Sequence, residues 1–420
     1  MIVRKRDCPP GAALLEPDAI GSRPLVVPET RSYWPRKPEH KGNCSMEFGF
    51  FAQGAVPKPI ADKNPNAEHE RLIANLELGV YAEECNFKYT WASEHHFLEE
   101  YSHMSTPEVY LAMVAARTSR IHIGSSIMNI TPYVNHPFRV AEQVAMLDHL
   151  SKGRFEFGTG RGSSTTEMFG FGIENADDTK DMWDESIREF PKMWRETEYS
   201  HDGKWFSTPV RNVLPKPYTQ PHPPMWVAAG SPSTFEKAAQ LGLGVICFSF
   251  GPPDRLGPLI ETYKKTIENC DPVGEWVNNN VMCVTNLVCL EDRDDAFKLG
   301  SEIGMSYYHS QVVRWLDSFP RPKDFPVWPE VLPEPTPAQL EAVGKTASVI
   351  VGDPDDCAEG LRKWESLGAD ILTFSPLTTQ ISLQDAKRVF RTFGEQVIPK
   401  FDPEPELHST TKQRIEQTGK

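Results

Sequence analysis

Glu94, His95 and His96 stand side by side in the stretch WASEHHFLEE. Imidazole is the side chain whose ordinary titration falls near neutral pH, so it suits proton transfer and metal ligation alike. Metal sites of that kind need spacings such as HxH or HxxxH, or paired CxxC, and none of these lies nearby. On a strand, successive side chains also face opposite ways, so His95 and His96 would not both face one end. No metal is expected here. Proton handling by His95 and a plain polar edge of the core both stay open. A second candidate is GRFEFGTGRGSSTTE, where the pattern from Gly158 is GxGxGS and the third glycine of a dinucleotide loop is missing. Small residues around Arg161 would let a flat ring approach the backbone while the guanidinium meets an anion. The same glycines, Gly158, Gly160 and Gly162, equally suit a tight turn without a ligand. A third is WVAAGSPSTFEKAAQLG: Ser231 suits an N-cap and Pro232 the first helical position, which leaves the amides of Ser233 and Thr234 unsatisfied. Such a helix start accepts phosphate, with Arg161 as the cation, although many Ser-Pro helix starts bind nothing.

Something must hold these three stretches together. Apolar, strand-like runs begin near residues 47, 89, 121, 154, 225, 244, 281 and 369, and amphipathic helical stretches alternate with them. Eight strands, each followed by a helix, predict an α/β fold, a (β/α)8 TIM barrel, although an open doubly wound sheet uses the same parts. In such a barrel the chemistry sits at the C-terminal strand ends, where EHHF closes the second strand. Two intervals exceed a simple βα unit and predict insertions after the fourth strand (163–224) and the seventh (310–350). The second carries Trp315, Phe319, Phe325 and Trp328 among prolines and is read as a semi-rigid cover over the barrel mouth. Residues 1–45 read as an extended arm, 46–400 as the barrel and 401–420 as a tail.

Composition narrows the partners. A formal charge of −14 argues against nucleic acid. Eight scattered cysteines without a CxxC pair fit a reduced chain, and no apolar run reaches the roughly 18–20 residues of a membrane span. The proline-broken N-terminus does not read as a signal peptide. A cytoplasmic protein is expected.

Taken in order, EHHF, HPFRVAEQVAMLDHLSKGRFEFGTGRG, the FG at 169, AAGSPST and VGDPDDCAEGLRKWESLGADILTF resemble the bacterial luciferase-like, flavin-dependent monooxygenases over residues 46 to about 400. The resemblance implies a barrel that takes reduced FMN from a separate flavin reductase and reacts it with dioxygen to a flavin hydroperoxide, which oxygenates a small organic substrate. It implies phosphate binding by Gly230, Ser231 and Thr234 with Arg161, proton handling by His95, and a barrel end fixed by Glu94. A non-proline cis bond under the flavin is implied within GSSIMNI, at Ser125, Ser126 or Ile127. Gly160 stands where luciferase has a reactive cysteine, so aldehyde-dependent light emission is not implied. A homodimer is. Two alternatives accompany this reading: hydride transfer from a deazaflavin on the same barrel, and a flavin-binding protein without catalysis. Phe51, Trp91, Phe97, Phe250 and Trp315 are candidates for an apolar substrate pocket, or for core packing.

Overall fold

A computed structural model describes residues 46–248, 251–318 and 321–420. The arm read over 1–45, together with Phe250 and Phe319, lies outside them. All the expected strands form: Glu47–Ala52, Tyr89–Ala92, His122–Ser125, Phe155–Gly160, Met225–Ala228, Gly244–Phe248, Val281–Thr285 and Ile371–Phe374. They pair in parallel in the order third, second, first, eighth, seventh, sixth, fifth, fourth. The fourth also pairs with the third, Ile123 opposite Phe155, which closes the barrel.

Alternation along each strand builds two apolar layers. In the first strand Phe48 and Phe50 face the surrounding helices, whereas Phe51 joins Tyr89, Trp91, Trp226, Ile246, Met282, Val284 and Ile371 inside the barrel. Trp91 and Trp226 meet edge to face with centroids 5.4 Å apart. Room for them comes from glycine: a Cβ at Gly124 would lie 2.2 Å from the Trp91 ring. Burying an aromatic or aliphatic side chain of this size contributes about 1.5–3 kcal/mol, so the filled interior is a main source of stability. Phe51 and Trp91, candidates for the pocket, are therefore core residues.

Two expectations change. The run VMCVTNLVCL is not one strand: after Thr285 the chain turns at Asn286, and Leu287–Cys289 pairs outside the barrel with Ile350–Gly352. Residues 401–420 do not stand apart as a tail. Asp402 pairs with Lys88 at 2.8 Å, and Ser409 binds Glu47 through its amide and hydroxyl at 2.9 and 2.7 Å. Thr410 donates to Glu156 at 2.7 Å, and the helix Ser409–Thr418 then lies across the N-terminal barrel end. This polar segment is held by carboxylates that the strands bury.

The interval after the fourth strand holds helices Thr165–Gly170, Asp178–Ile187 and Phe190–Arg195 and the antiparallel pair Tyr199–Asp202 and Ser207–Arg211. The interval after the seventh is more than a proline-rich loop. Helix Met305–Trp315 precedes its exposed stretch and helix Pro337–Lys345 follows, the latter opened by a Thr336–Gln339 capping box. Among the described residues no helix is long and apolar enough to cross a membrane.

Candidate functional site

The expected site residues leave the C-terminal ends of four neighbouring strands, the second to the fifth. The second strand stops at Ala92, so strict alternation does not govern His95 and His96. They nevertheless take different partners. His95 Nδ1 lies 3.1 Å from Glu167 Oε1, and His96 Nε2 lies 3.1 Å from Glu94 Oε1. Glu94 is buried and also accepts from the Asn129 amide at 2.9 Å and the Asn135 side chain at 2.8 Å. It ties the end of the second strand to the segment that follows the third. Among the described residues no group of three or more His, Cys, Asp or Glu is arranged to hold a metal.

The third strand ends in a cis peptide between Ser126 and Ile127. Ser125 is fully buried, and its hydroxyl donates to the Gly158 carbonyl at 2.8 Å and accepts from the Gly158 amide at 3.0 Å. A hydroxyl so engaged in the barrel wall has little left for a ligand. Ser126 Oγ is buried and has no hydrogen-bond partner, as is Ser93 Oγ at the end of the second strand. Buried polar atoms are rarely left unpaired, so these two suit a bound molecule with donors or acceptors of its own.

The small residues before Arg161 serve the wall first. A Cβ at Gly158 would lie 1.9 Å from the Ser125 carbonyl oxygen, and one at Gly160 would lie 2.5 Å from the Ile127 side chain. Close approach of the neighbouring wall already requires glycine at both positions. Arg161 is half-buried, and its guanidinium donates to the Thr179 hydroxyl at 2.8 Å. Burial lowers its pKa, and the charge of Asp177 partly offsets this. Asp177 is itself paired with Lys180 at 2.8 Å. A guanidinium held by a neutral hydroxyl keeps donors for an anion.

Ser231 caps helix Pro232–Gln240 by accepting from the Thr234 amide at 3.4 Å, with Pro232 in the first turn as expected. Its hydroxyl lies 3.1 Å from that of Ser233 and 2.9 Å from that of Thr234, and Gly230 before it is exposed. The Thr234 amide, expected to be unsatisfied, is taken by Ser231, but three hydroxyls at a helix start still form a donor set for an oxyanion. Thr159 pairs with Val227, so Arg161 and Ser231 leave adjacent strands. An ion pair of 2.8 Å between Asp184 and Lys237 ties the helix that carries Thr179 to the helix that Ser231 caps. The residues present thus fit a group with an anionic tail and a polar-edged ring.

Glu167 was not anticipated. SSTTE reads as a capping box, Ser164 with Glu167 three residues on, and would be assigned to the helix start. Ser164 makes no side-chain cap, and the glutamate turns to His95 and His96 instead. Burial acts to raise the Glu167 pKa, but the His95 charge and hydrogen bond and the His96 amide outweigh it, so the carboxyl sits below its usual range.

The cover touches this end. Tyr308 stacks on Tyr101 with centroids 6.1 Å apart, and Tyr307 donates its hydroxyl to Glu100. Arg314 lies between the rings of Trp315 and Trp328, at 4.3 and 4.8 Å. Phe97 is exposed and leans on Phe171 at 5.4 Å.

Comparison with known proteins gives this geometry a family. A family model described as luciferase-like monooxygenase matches residues 46–370. The chain is 25% identical over 342 residues to the oxygenase component of flavin-dependent trigonelline monooxygenase from Acinetobacter baylyi, covering 78% of this chain and 89% of that one. The oxygenating constituent of 3,6-diketocamphane monooxygenase from Pseudomonas putida, solved with FMN, has the same fold: TM-score 0.68, 19% identity, 85% of this chain and 99% of that one. So does the coenzyme F-420-dependent tetrahydromethanopterin reductase of Methanopyrus kandleri, with TM-score 0.60, 19% identity and coverage of 85% and 99%. With most of its length matched, from the first barrel strand to the threshold of the last, the chain belongs to the luciferase-like monooxygenase family.

Proposed function

We propose that the chain is the oxygenase component of a two-component, FMN-dependent monooxygenase. It would receive reduced FMN from a separate flavin reductase in the cytoplasm and, with dioxygen, oxygenate a small apolar or aromatic organic substrate. The observation that carries this reading is the convergence of an oxyanion-binding helix start, a guanidinium, an unpartnered buried serine and a histidine on four adjacent strand ends. The named activities of the relatives and the FMN in a structural neighbour support it.

In this reading Gly230, Ser231, Thr234 and Arg161 hold the phosphate, Ser126 meets the ring system, and Glu94 braces the wall. FMN, when bound, supplies the reaction with dioxygen. The chain supplies the rest. His95 takes or returns a proton beside the reacting atoms, and the Met305–Trp315 cover keeps water away. Val109, Met113, Met146 and Leu150, exposed on the neighbouring helices Pro107–Arg117 and Pro137–Ser151, would be covered in a homodimer.

A second reading, hydride transfer from a deazaflavin, draws on the fold shared with the coenzyme F-420-dependent reductase. Assays under air with reduced FMN and with a reduced deazaflavin separate the two. Dioxygen uptake dependent on FMN and on an organic substrate is expected. Dioxygen-independent transfer from the deazaflavin would replace the monooxygenase reading, and binding without turnover of either would favour a non-catalytic flavin protein.

A further inference from the structure

The carboxylate of Glu167 is 4% exposed, and its two oxygens are unequally used. Oε1 accepts from the His96 amide at 2.9 Å and meets His95 Nδ1 at 3.1 Å. Oε2 is buried with no hydrogen-bond partner. The backbone bond fixes where Oε1 points, and the His95 ring also lies edge-on against Tyr101 at 5.2 Å. A neutral imidazole whose Nδ1 faces a carboxylate must carry its proton on Nδ1, because a carboxylate only accepts. Nε2 is then left with its lone pair as the nitrogen that can take a proton from a reactant.

The helix that bears Glu167, Thr165–Gly170, spans fewer than two turns and needs outside support. Asp317 gives it: the Thr165 amide donates to Oδ1 at 2.9 Å and the Thr165 hydroxyl to Oδ2, while the Ser318 amide donates to the Ser163 carbonyl at 3.3 Å. Asp317 follows directly on the cover helix. That helix grips the loop carrying His95 through Tyr307 and Arg314 on Glu100.

We infer that Glu167 is the positioning residue for His95: it sets the Nδ1–H tautomer, leaves Nε2 free for the reactant, and is itself held in place from the cover by Asp317. The catalytic meaning of this arrangement rests on the proposed role of His95. The tautomer does not, and it can be read in the full-length protein without any cofactor.

The test is nitrogen-15 NMR of the His95 ring in wild type, Glu167→Gln and Glu167→Ala, compared at a pH where the spectra themselves show the ring neutral. Wild type is expected to show the Nδ1–H form. Gln keeps an acceptor oxygen and should preserve it, while Ala should shift the ring toward the Nε2–H form common in free histidine. An Nε2–H ring in wild type overturns the inference at once, whether or not the Ala variant folds. So does an unchanged tautomer in a folded Ala variant. Turnover is read alongside: Glu167→Ala should lower the oxygenation rate about 100-fold, within the range for a misplaced proton-transfer group, with reduced-FMN affinity retained. If the tautomer moves as expected and turnover does not, the dyad stands and the catalytic role proposed for His95 falls. Asp317→Ala should loosen the same dyad, giving a mixture of tautomers in which wild type shows one; a wild-type pattern in this variant would remove the cover from the account.

Discussion

The barrel carries a histidine–glutamate pair at each end, and the two pairs do opposite things. On the floor His122 Nδ1 lies 2.7 Å from Glu156 Oε1, and both oxygens of Glu156 take a further donor. Trp226 donates to Glu156 Oε2 at 2.9 Å, Thr410 donates to Oε1 at 2.7 Å, and His408 stacks on the His122 ring at 3.6 Å. Burial, followed by the charges of Arg154 and Lys88, pushes His122 down to about 3, and burial pushes Glu156 up to about 8. The pair holds one proton between two enclosed groups. At the mouth the His95–Glu167 contact is 3.1 Å long, the ring is 15% exposed, and Glu167 Oε2 has no partner. A cleft of about 550 Å³ does open near the floor, but two of the arginines that line it are already engaged. Arg154 donates to the carbonyls of Ala115, Thr118 and Ile121, and Arg120 faces Glu406 at 3.4 Å. What marks a site for chemistry is therefore not the residue pair but the bonding capacity left open around it.

That contrast can be broken at either end. The largest effect is expected at the mouth: His95→Gln should lower turnover by about 10²–10⁴-fold, the usual worth of a proton-transfer group, while the unfolding midpoint stays near that of wild type. A variant that loses stability and activity together would make this pair structural like the other. Next comes the floor, where Lys88 bridges Glu47 and Asp402, each at 2.8 Å, with all three side chains 2% exposed. Lys88→Met strands two buried carboxylates and should cost about 3–5 kcal/mol in urea unfolding, with turnover per folded molecule unchanged. Activity lost without any loss of stability would contradict a purely structural floor.

A smaller effect concerns pH. The raised Glu156 pKa means that the folded chain keeps a proton which the unfolded chain releases in the ordinary carboxylate range. The stability this group contributes is present in full below that range and is lost as pH rises through about 8. His122 acts in the reverse sense, costing stability as pH falls below the ordinary histidine value. Glu156→Gln, neutral throughout, should flatten the decline on the alkaline side and leave the acid side in place. Unfolding midpoints measured across neutral pH check this, and a decline as steep as that of wild type would show that Glu156 does not carry the proton.

Whatever rests on local chemistry was legible in the sequence. The strand runs, the Ser231 cap with Pro232 behind it, and EHHF at a strand end all follow from periodicity and turn preferences within a few residues. The features that were not legible depend on pairing across the fold. Asn286 sits inside a largely apolar run, and only the pairing of Leu287–Cys289 with Ile350–Gly352 shows why the strand ends before it. Residues 401–420 look like a solvated tail because the groups that hold them, Glu47 and Glu156, are carboxylates hidden inside strand runs. Glu167 carried a local signature, the capping box, that pointed to the wrong partner. Gly158 and Gly160 invited a ligand reading because the strand they fit against lies more than thirty residues away, as the separation of 33 between Ser125 and Gly158 shows.

Reduced FMN is proposed to bind at the mouth of the barrel through Arg161 and the Ser231 helix start. An anaerobic titration of the full-length protein with reduced FMN, followed by tryptophan fluorescence, tests it directly. Saturable binding is expected, weakened at least about tenfold in Arg161→Met, the size of a lost charge-assisted hydrogen bond. Wild-type protein that shows no saturable binding, or an Arg161→Met variant that binds as tightly as wild type, would contradict the account.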